Sequence, residues 1–194
     1  MCIIIVKPAG VKMPSDNLLR TAARYNRDGC GFMTANGTAF RCLYEDLETF
    51  LTRLRACRDD ETVAIHFRYA THGSVCVKNC HPFRAGDLML MHNGVIDFYQ
   101  NDYDITDTQA FLMDNYAKLV RFGVQSANTA KIFGRYKSSK FVLMNTKSGE
   151  IKTFGNFTSF GGCLFSNLRP FADGLIISDG RVDYPQNNQL FCYM

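Results

Sequence analysis

The chain has 194 residues, of which 46% are hydrophobic, enough apolar material for a sizeable core and suited to a single domain over residues 1–194. Its net charge of +4 is dispersed without a Lys/Arg run, which argues against a nucleic-acid-binding footprint. The longest apolar stretches, Ile3–Val6 and Leu88–Met91, are strand-length, far short of the roughly 20 residues of a membrane helix, and no signal peptide is visible. The eight cysteines are irregularly spaced; without an export signal this predicts reduced thiols in a cytoplasmic protein, several of them in the core.

In chain order, Cys2 stands directly behind Met1 and ahead of Ile3-Ile4-Ile5-Val6, which reads as a buried strand. Removal of Met1 would leave a thiol and a free amine on one carbon. An α-amine of pKa about 7.7 to 8.0 is matched to a thiol of about 8.5, so the terminal amine can serve as base for its own side chain. With Met1 retained, that nitrogen is an amide and has no useful basicity. By itself, Met-Cys is also compatible with a plain strand entry.

Ser15-Asp16-Asn17 predicts a helix cap, with the helix running to about Tyr25 and a turn at Asn26-Arg27-Asp28-Gly29. Asn36-Gly37 predicts a hairpin between Phe32–Thr34 and Ala39–Leu43. Leu47, Phe50, Leu51 and Leu54 follow an i, i+3, i+4, i+7 pattern on a helix over about 45–57. Val63 to Tyr69 reads as a strand entering a polar loop, and Asp87 to Met91 as a strand ending at His92-Asn93-Gly94. Thr106 and Gln109 have capping-box spacing, which opens a helix closing near Gly123. Beyond it, a short helix around Thr129–Phe133, a hairpin of 140–145 with 150–154, and strands at 162–166 and 175–178 are predicted. No repeat or linker interrupts the chain, and the class is α+β.

Three polar segments combine with Cys2: Arg68-Tyr69-Ala70-Thr71-His72-Gly73, His81-Pro82, and His92-Asn93-Gly94-Val95-Ile96, followed by Asp107-Thr108 at a helix start. With Asp28-Gly29-Cys30-Gly31, they resemble in type and order the glutaminase domain of class II glutamine amidotransferases, members of the N-terminal nucleophile (Ntn) hydrolase superfamily. The motif resemblance covers roughly residues 2–112, and more loosely the remainder to about Asn167. Ile3 stands where many members have Gly, and Tyr69 where Trp is common; both differences bear on pocket dimensions.

The resemblance implies an αββα sandwich of two antiparallel sheets flanked by helices, with Cys2 at the start of a central strand. It implies a Cys2 nucleophile acting on the side-chain amide of L-glutamine, or a related small amide, through a γ-glutamyl thioester. Attack on an amide carbon creates an oxyanion; Asn93 and the Gly94 N–H are suitable donors and by resemblance fill that role. The guanidinium and carboxylate needed for a free amino acid are by resemblance Arg68 and Asp107. Tyr69, Thr71 and His72 are implied to line the pocket, and His81 to support it.

No cofactor and no metal are expected. His72, Cys76, Cys80 and His81 crowd ten residues, but gathering them around one zinc would strain the loop. No phosphate-binding Gly-rich loop is present, so the ammonia is expected to pass to a separate synthase subunit. Two alternatives stay open: a stand-alone amidase, and a non-catalytic adaptor that retains Met1. Neither nucleic acid nor membrane is an expected partner.

Overall fold

All of Ile3, Ile4, Ile5 and Val6 are buried, because strand β1 (Ile3–Lys7) is covered on both faces. Side chains alternate along a strand. Ile3 and Ile5 therefore join a core with helix residues Leu18, Ala22, Phe50 and Leu54. Ile4 and Val6 turn the other way, onto Met89, Met91, Val142 and Met144 of a second sheet. The run lacks a period of two because neither face meets water.

The chain is described from a computed structural model, whose described residues are 1–71, 73–96, 105–171 and 174–185. After β1 come α1 (Asp16–Tyr25), β2 (Cys30–Thr34), β3 (Ala39–Cys42), α2 (Leu47–Arg55) and β4 (Val63–Phe67). Then follow β5 (Phe83–Ala85), β6 (Leu88–Asn93), α3 (Asp107–Phe122), α4 (Ala127–Phe133), β7 (Lys140–Asn145) and β8 (Ile151–Phe154). The described chain closes with β9 (Thr158–Phe160), β10 (Cys163–Phe165), β11 (Ile176–Ser178) and β12 (Arg181–Asp183).

One sheet runs β3-β2-β4-β1-β10-β9, the second β5-β6-β7-β8, and β11-β12 form a separate ribbon. The strand pairings are antiparallel; Ile5 faces Ile65 of β4 on one side and Phe165 of β10 on the other. Helices α1 and α2 cover the outer face of the six-stranded sheet. On the other side, Phe111, Leu112 and Leu119 of α3 and Phe133 of α4 pack on Leu88, Leu90, Phe141 and Leu143. The order of layers is α, β, β, α, as the family resemblance implies. At about 1.5–3 kcal/mol for each large apolar side chain removed from water, the three apolar layers dominate the favourable energy of folding.

Local signals explain the element ends. Ser15 accepts the Leu18 N–H at 3.1 Å and caps α1. Thr106 accepts the Gln109 N–H at 3.2 Å while Gln109 returns its carbonyl to the Thr106 N–H at 2.7 Å, a complete capping box. Strand β6 differs from expectation: it continues through His92 and Asn93, which pair with Phe141 and Lys140 of β7. Its end is thereby fixed by the neighbouring strand, and Asn93 is a strand residue instead of the first loop residue. The short strands β5, β9 and β12 carry too few residues for a readable period. Among the described residues, no helix is long and apolar enough to cross a membrane.

Candidate active site

The site lies where the two sheets meet at the end from which β1 starts. The chain leaves β4 at Phe67, and its turn is tied to the end of β2: Arg68 N–H donates to Gly29 at 2.8 Å and Asp28 N–H to the Arg68 carbonyl at 3.1 Å. The Asp28 carboxylate then accepts the Ala70 N–H at 2.6 Å. These bonds hold residues 68–70 beside Cys2. The Cys2 sulfur lies 3.3 Å from the Tyr69 nitrogen and 3.4 Å from the Tyr69 carbonyl oxygen.

A small pocket of about 30 Å³ is lined by Cys2, Arg68, Tyr69, Thr71, His81, Gly94 and Asp107, with Ala70, His92, Thr106 and Thr108 completing the wall. Five separated stretches of chain thus contribute to one cavity. Asn93 is almost fully buried beside Gly94, and its side-chain amide donates to Ser166 Oγ at 2.9 Å. His72 lies outside the described residues.

The two groups proposed to grip an amino acid are also built into the fold. Arg68 is buried and donates to the carbonyls of Ser74 at 3.1 Å and Gly73 at 3.3 Å. Asp107, in the first turn of α3, accepts the Ile96 N–H at 2.8 Å and the Thr108 N–H at 2.6 Å. It therefore fixes the chain just after Gly94. A carboxylate offers about four lone-pair sites, so acceptor capacity remains on Asp107.

Gly94 cannot be replaced freely. Its φ is +153°, and a Cβ there would lie 2.3 Å from Ser139 Oγ and 2.8 Å from His92 Nε2. His92 is held between Thr108 Oγ1, 2.9 Å from Nδ1, and Ser139 Oγ, 3.0 Å from Nε2, and it stacks on Phe141. Below it, His66 Nε2 is 3.1 Å from the His92 carbonyl oxygen, and the His66 and His81 rings pack tilted against each other with centroids 4.1 Å apart. Both His81 ring nitrogens and His66 Nδ1 are buried without a hydrogen-bond partner.

Burial sets the protonation of this histidine column. It lowers His66 to about 3 and His81 well below its ordinary value. It lowers His92 to about 4, against the opposing attraction of Asp107. All three rings are neutral near pH 7. With Met1 in place, burial pushes the Cys2 thiol up from its ordinary value, partly offset by the Tyr69 backbone, the terminal ammonium and Arg68.

The cysteines fall into two kinds. Cys30, Cys42, Cys80 and Cys163 are buried, and none of the seven described cysteines is in a disulfide; Cys192 lies outside the described residues. Cys80 directs its thiol at the Cys42 carbonyl, 3.4 Å away. Among the described residues, no group of three or more His, Cys, Asp or Glu side chains is placed to hold a metal.

Residues that sequence reasoning did not assign to the site are Ser166, Asn167, Ser139, Thr108 and His66. Asn167 Nδ2 reaches the Cys2 carbonyl at 3.4 Å and the Met1 carbonyl at 3.5 Å. No local pattern marks these positions: each acts through a partner distant in the chain.

No family model matches the chain. Short segments match curated glutamine–fructose-6-phosphate aminotransferases (isomerizing). The Zymomonas mobilis protein is 49% identical over 35 residues, 18% of this chain and 6% of that protein. The Vibrio parahaemolyticus protein is 29% identical over 84 residues, covering 36% and 14%. The Caulobacter vibrioides protein is 53% identical over 32 residues, covering 16% and 5%. The matches thus span a small fraction of those relatives. Among solved structures, the glutamine phosphoribosylpyrophosphate amidotransferase of B. subtilis superposes with a TM-score of 0.51 at 15% identity, over 89% of this chain and 43% of that one. The chain has the fold of that amidotransferase, and its short matched segments are similar to glutamine–fructose-6-phosphate aminotransferases. The fold likeness extends over most of the chain, whereas the sequence likeness is confined to short stretches.

Proposed function

We propose that the protein hydrolyses the side-chain amide of L-glutamine, or of a closely related small amide, using Cys2 exposed by removal of Met1. The observation that carries this reading is that Cys2, Arg68, Gly94 and Asp107, from four separate stretches of chain, line one pocket.

In this mechanism the freed α-amine takes the proton from the Cys2 thiol, and the sulfur attacks the amide carbon. Charge on the carbonyl oxygen is met by Asn93 Nδ2 and the Gly94 N–H, the two donors at the end of β6. Collapse breaks the C–N bond, and the α-ammonium returns its proton to the leaving nitrogen as ammonia departs. Water then attacks the γ-glutamyl thioester, with the amine again accepting and returning the proton, to give glutamate and free Cys2. Arg68 pairs with the substrate α-carboxylate and Asp107 with its ammonium. Tyr69, Thr71 and His72 contact the substrate, and His81 supports the wall.

Ammonia is passed to a separate synthase chain. A stand-alone amidase differs in one respect: full turnover without a second protein.

Intact-mass analysis of the native protein together with a glutaminase assay tests the reading. The expected result is loss of the Met1 mass, glutamate production by the wild-type protein, and none by Cys2→Ala. Retained Met1, or turnover indifferent to Cys2→Ala, overturns it and leaves the adaptor reading.

A further inference from the structure

We infer that Ser166 is a positioning residue that sets Asn93 against Cys2 by pinning the two sheets together at the site. This inference rests on the glutaminase reading for its catalytic part. Cys2 precedes β1 in the six-stranded sheet, whereas Asn93 ends β6 in the four-stranded one. The nucleophile and one oxyanion donor therefore belong to different layers. The contact between those layers is mostly apolar, built on Ile4, Val6, Ala64, Met89, Met91 and Val142, with the His66 Nε2–His92 carbonyl contact of 3.1 Å crossing it one residue before Asn93. Apolar packing keeps sheets together but is non-directional. A directional tie is needed where atoms must meet within a fraction of an ångström.

Ser166 supplies one. It is almost fully buried directly after β10, and its N–H donates to the Ile4 carbonyl at 2.9 Å, continuing the β10–β1 ladder. Its Oγ accepts the Ile4 N–H at 2.7 Å and the Asn93 Nδ2–H at 2.9 Å. One oxygen thus binds the strand that carries Cys2 and the side chain that meets the oxyanion. Both lone pairs of the hydroxyl are occupied by donors. One Nδ2 proton of Asn93 is committed to Ser166, which orients the other for the oxyanion. Ser166 touches neither substrate nor the reacting atoms; it acts through Asn93.

The test compares wild type, Ser166→Ala and Ser166→Thr, the last keeping the hydroxyl. Two measurements are made on each: hydrogen exchange of the Asn93 side-chain amide by NMR, which needs no activity, and steady-state glutamine hydrolysis. In Ser166→Ala the amide exchanges faster and kcat falls about 10- to 100-fold, with KM within about twofold, because alignment is lost while the amino-acid clamp remains. Ser166→Thr recovers the protection and most of kcat. Unchanged exchange in a folded Ser166→Ala protein overturns the pin. Faster exchange with unchanged kcat overturns the positioning role. A wild-type protein inactive on glutamine overturns the functional reading and with it the catalytic part, while amide exchange still decides the pin; if Ser166→Ala does not fold, unprotected Asn93 amide protons in wild type overturn it.

Discussion

The Cys2 sulfur sits against both backbone polar groups of Tyr69, 3.3 Å from its nitrogen and 3.4 Å from its oxygen. The N–H contact favours thiolate, whereas burial favours the neutral thiol and prevails while Met1 is attached. Cys76 is the opposite case: the Ser74 hydroxyl beside its sulfur lowers its thiol from the ordinary value. In the protein that retains Met1, iodoacetamide at pH 7.5 is therefore expected to label Cys76 before Cys2, read by peptide mass mapping. Faster labelling of Cys2 in that form would contradict the burial argument.

Asp28 anchors the loop that meets the sulfur, through its 2.6 Å bond to the Ala70 N–H. Replacing it with Ala strands that amide and loosens residues 69–70 beside Cys2, while the bonds of Arg68 to Gly29, Ser74 and Gly73 remain. Glutamine binding to an Asp28→Ala, Cys2→Ala double variant is expected to weaken about 10-fold relative to Cys2→Ala by calorimetry, the equivalent of about 1.4 kcal/mol. Asp28→Asn retains an acceptor oxygen and should lose less.

The histidine column makes stability depend on pH. Burial depresses His66, His81 and His92 below the unfolded value of about 6.5, so the unfolded chain binds protons in a range where the folded protein does not. Stability is complete above pH 6.5 and falls as pH drops toward the folded values, about 3 for His66 and about 4 for His92. At pH 5 each ring costs at most about 2 kcal/mol by this linkage. Urea midpoints measured from pH 7.5 to 5 should fall steadily, and His81→Leu should flatten the slope. An equal slope in that variant would show that His81 is not kept neutral by the fold.

Gly94→Ala tests the tight approach at the end of β6. The added methyl meets Ser139 Oγ and His92 Nε2 well inside contact distance. A loss of about 2–4 kcal/mol in urea unfolding is expected, because the backbone is also in a conformation that L side chains rarely adopt. A variant as stable as wild type would mean that the turn relaxes freely.

Much of the scaffold was readable because its signals are local. Ser15, the Thr106–Gln109 box and Asn36-Gly37 specify their own caps and turn within four residues. The continuous apolar runs Ile3–Val6 and Leu88–Met91 announced strands, the first of them buried. The end of β6 was not readable: His92 and Asn93 look like loop residues until Phe141 and Lys140 pair with them. Strands β5, β9 and β12, of three residues each, depend equally on their partners.

The sequence by itself determined which chemical groups are available: the Cys behind Met1, the Arg68 and Asp107 charges, and the Asn93-Gly94 donor pair. Their types and order follow from covalent chemistry and short-range patterning. Only the tertiary structure decided that Cys2, Arg68, Gly94 and Asp107 share one pocket, that Ser166 joins Cys2's strand to Asn93, and that His66, His81 and His92 are buried together and uncharged. The physical reason is that these relations arise between two sheets whose contact is mostly apolar and crossed by only a few directional bonds. Ser166 meets Ile4 from 162 positions away within its own sheet and Asn93 from 73 positions away across the two sheets, and no window of sequence contains these partners.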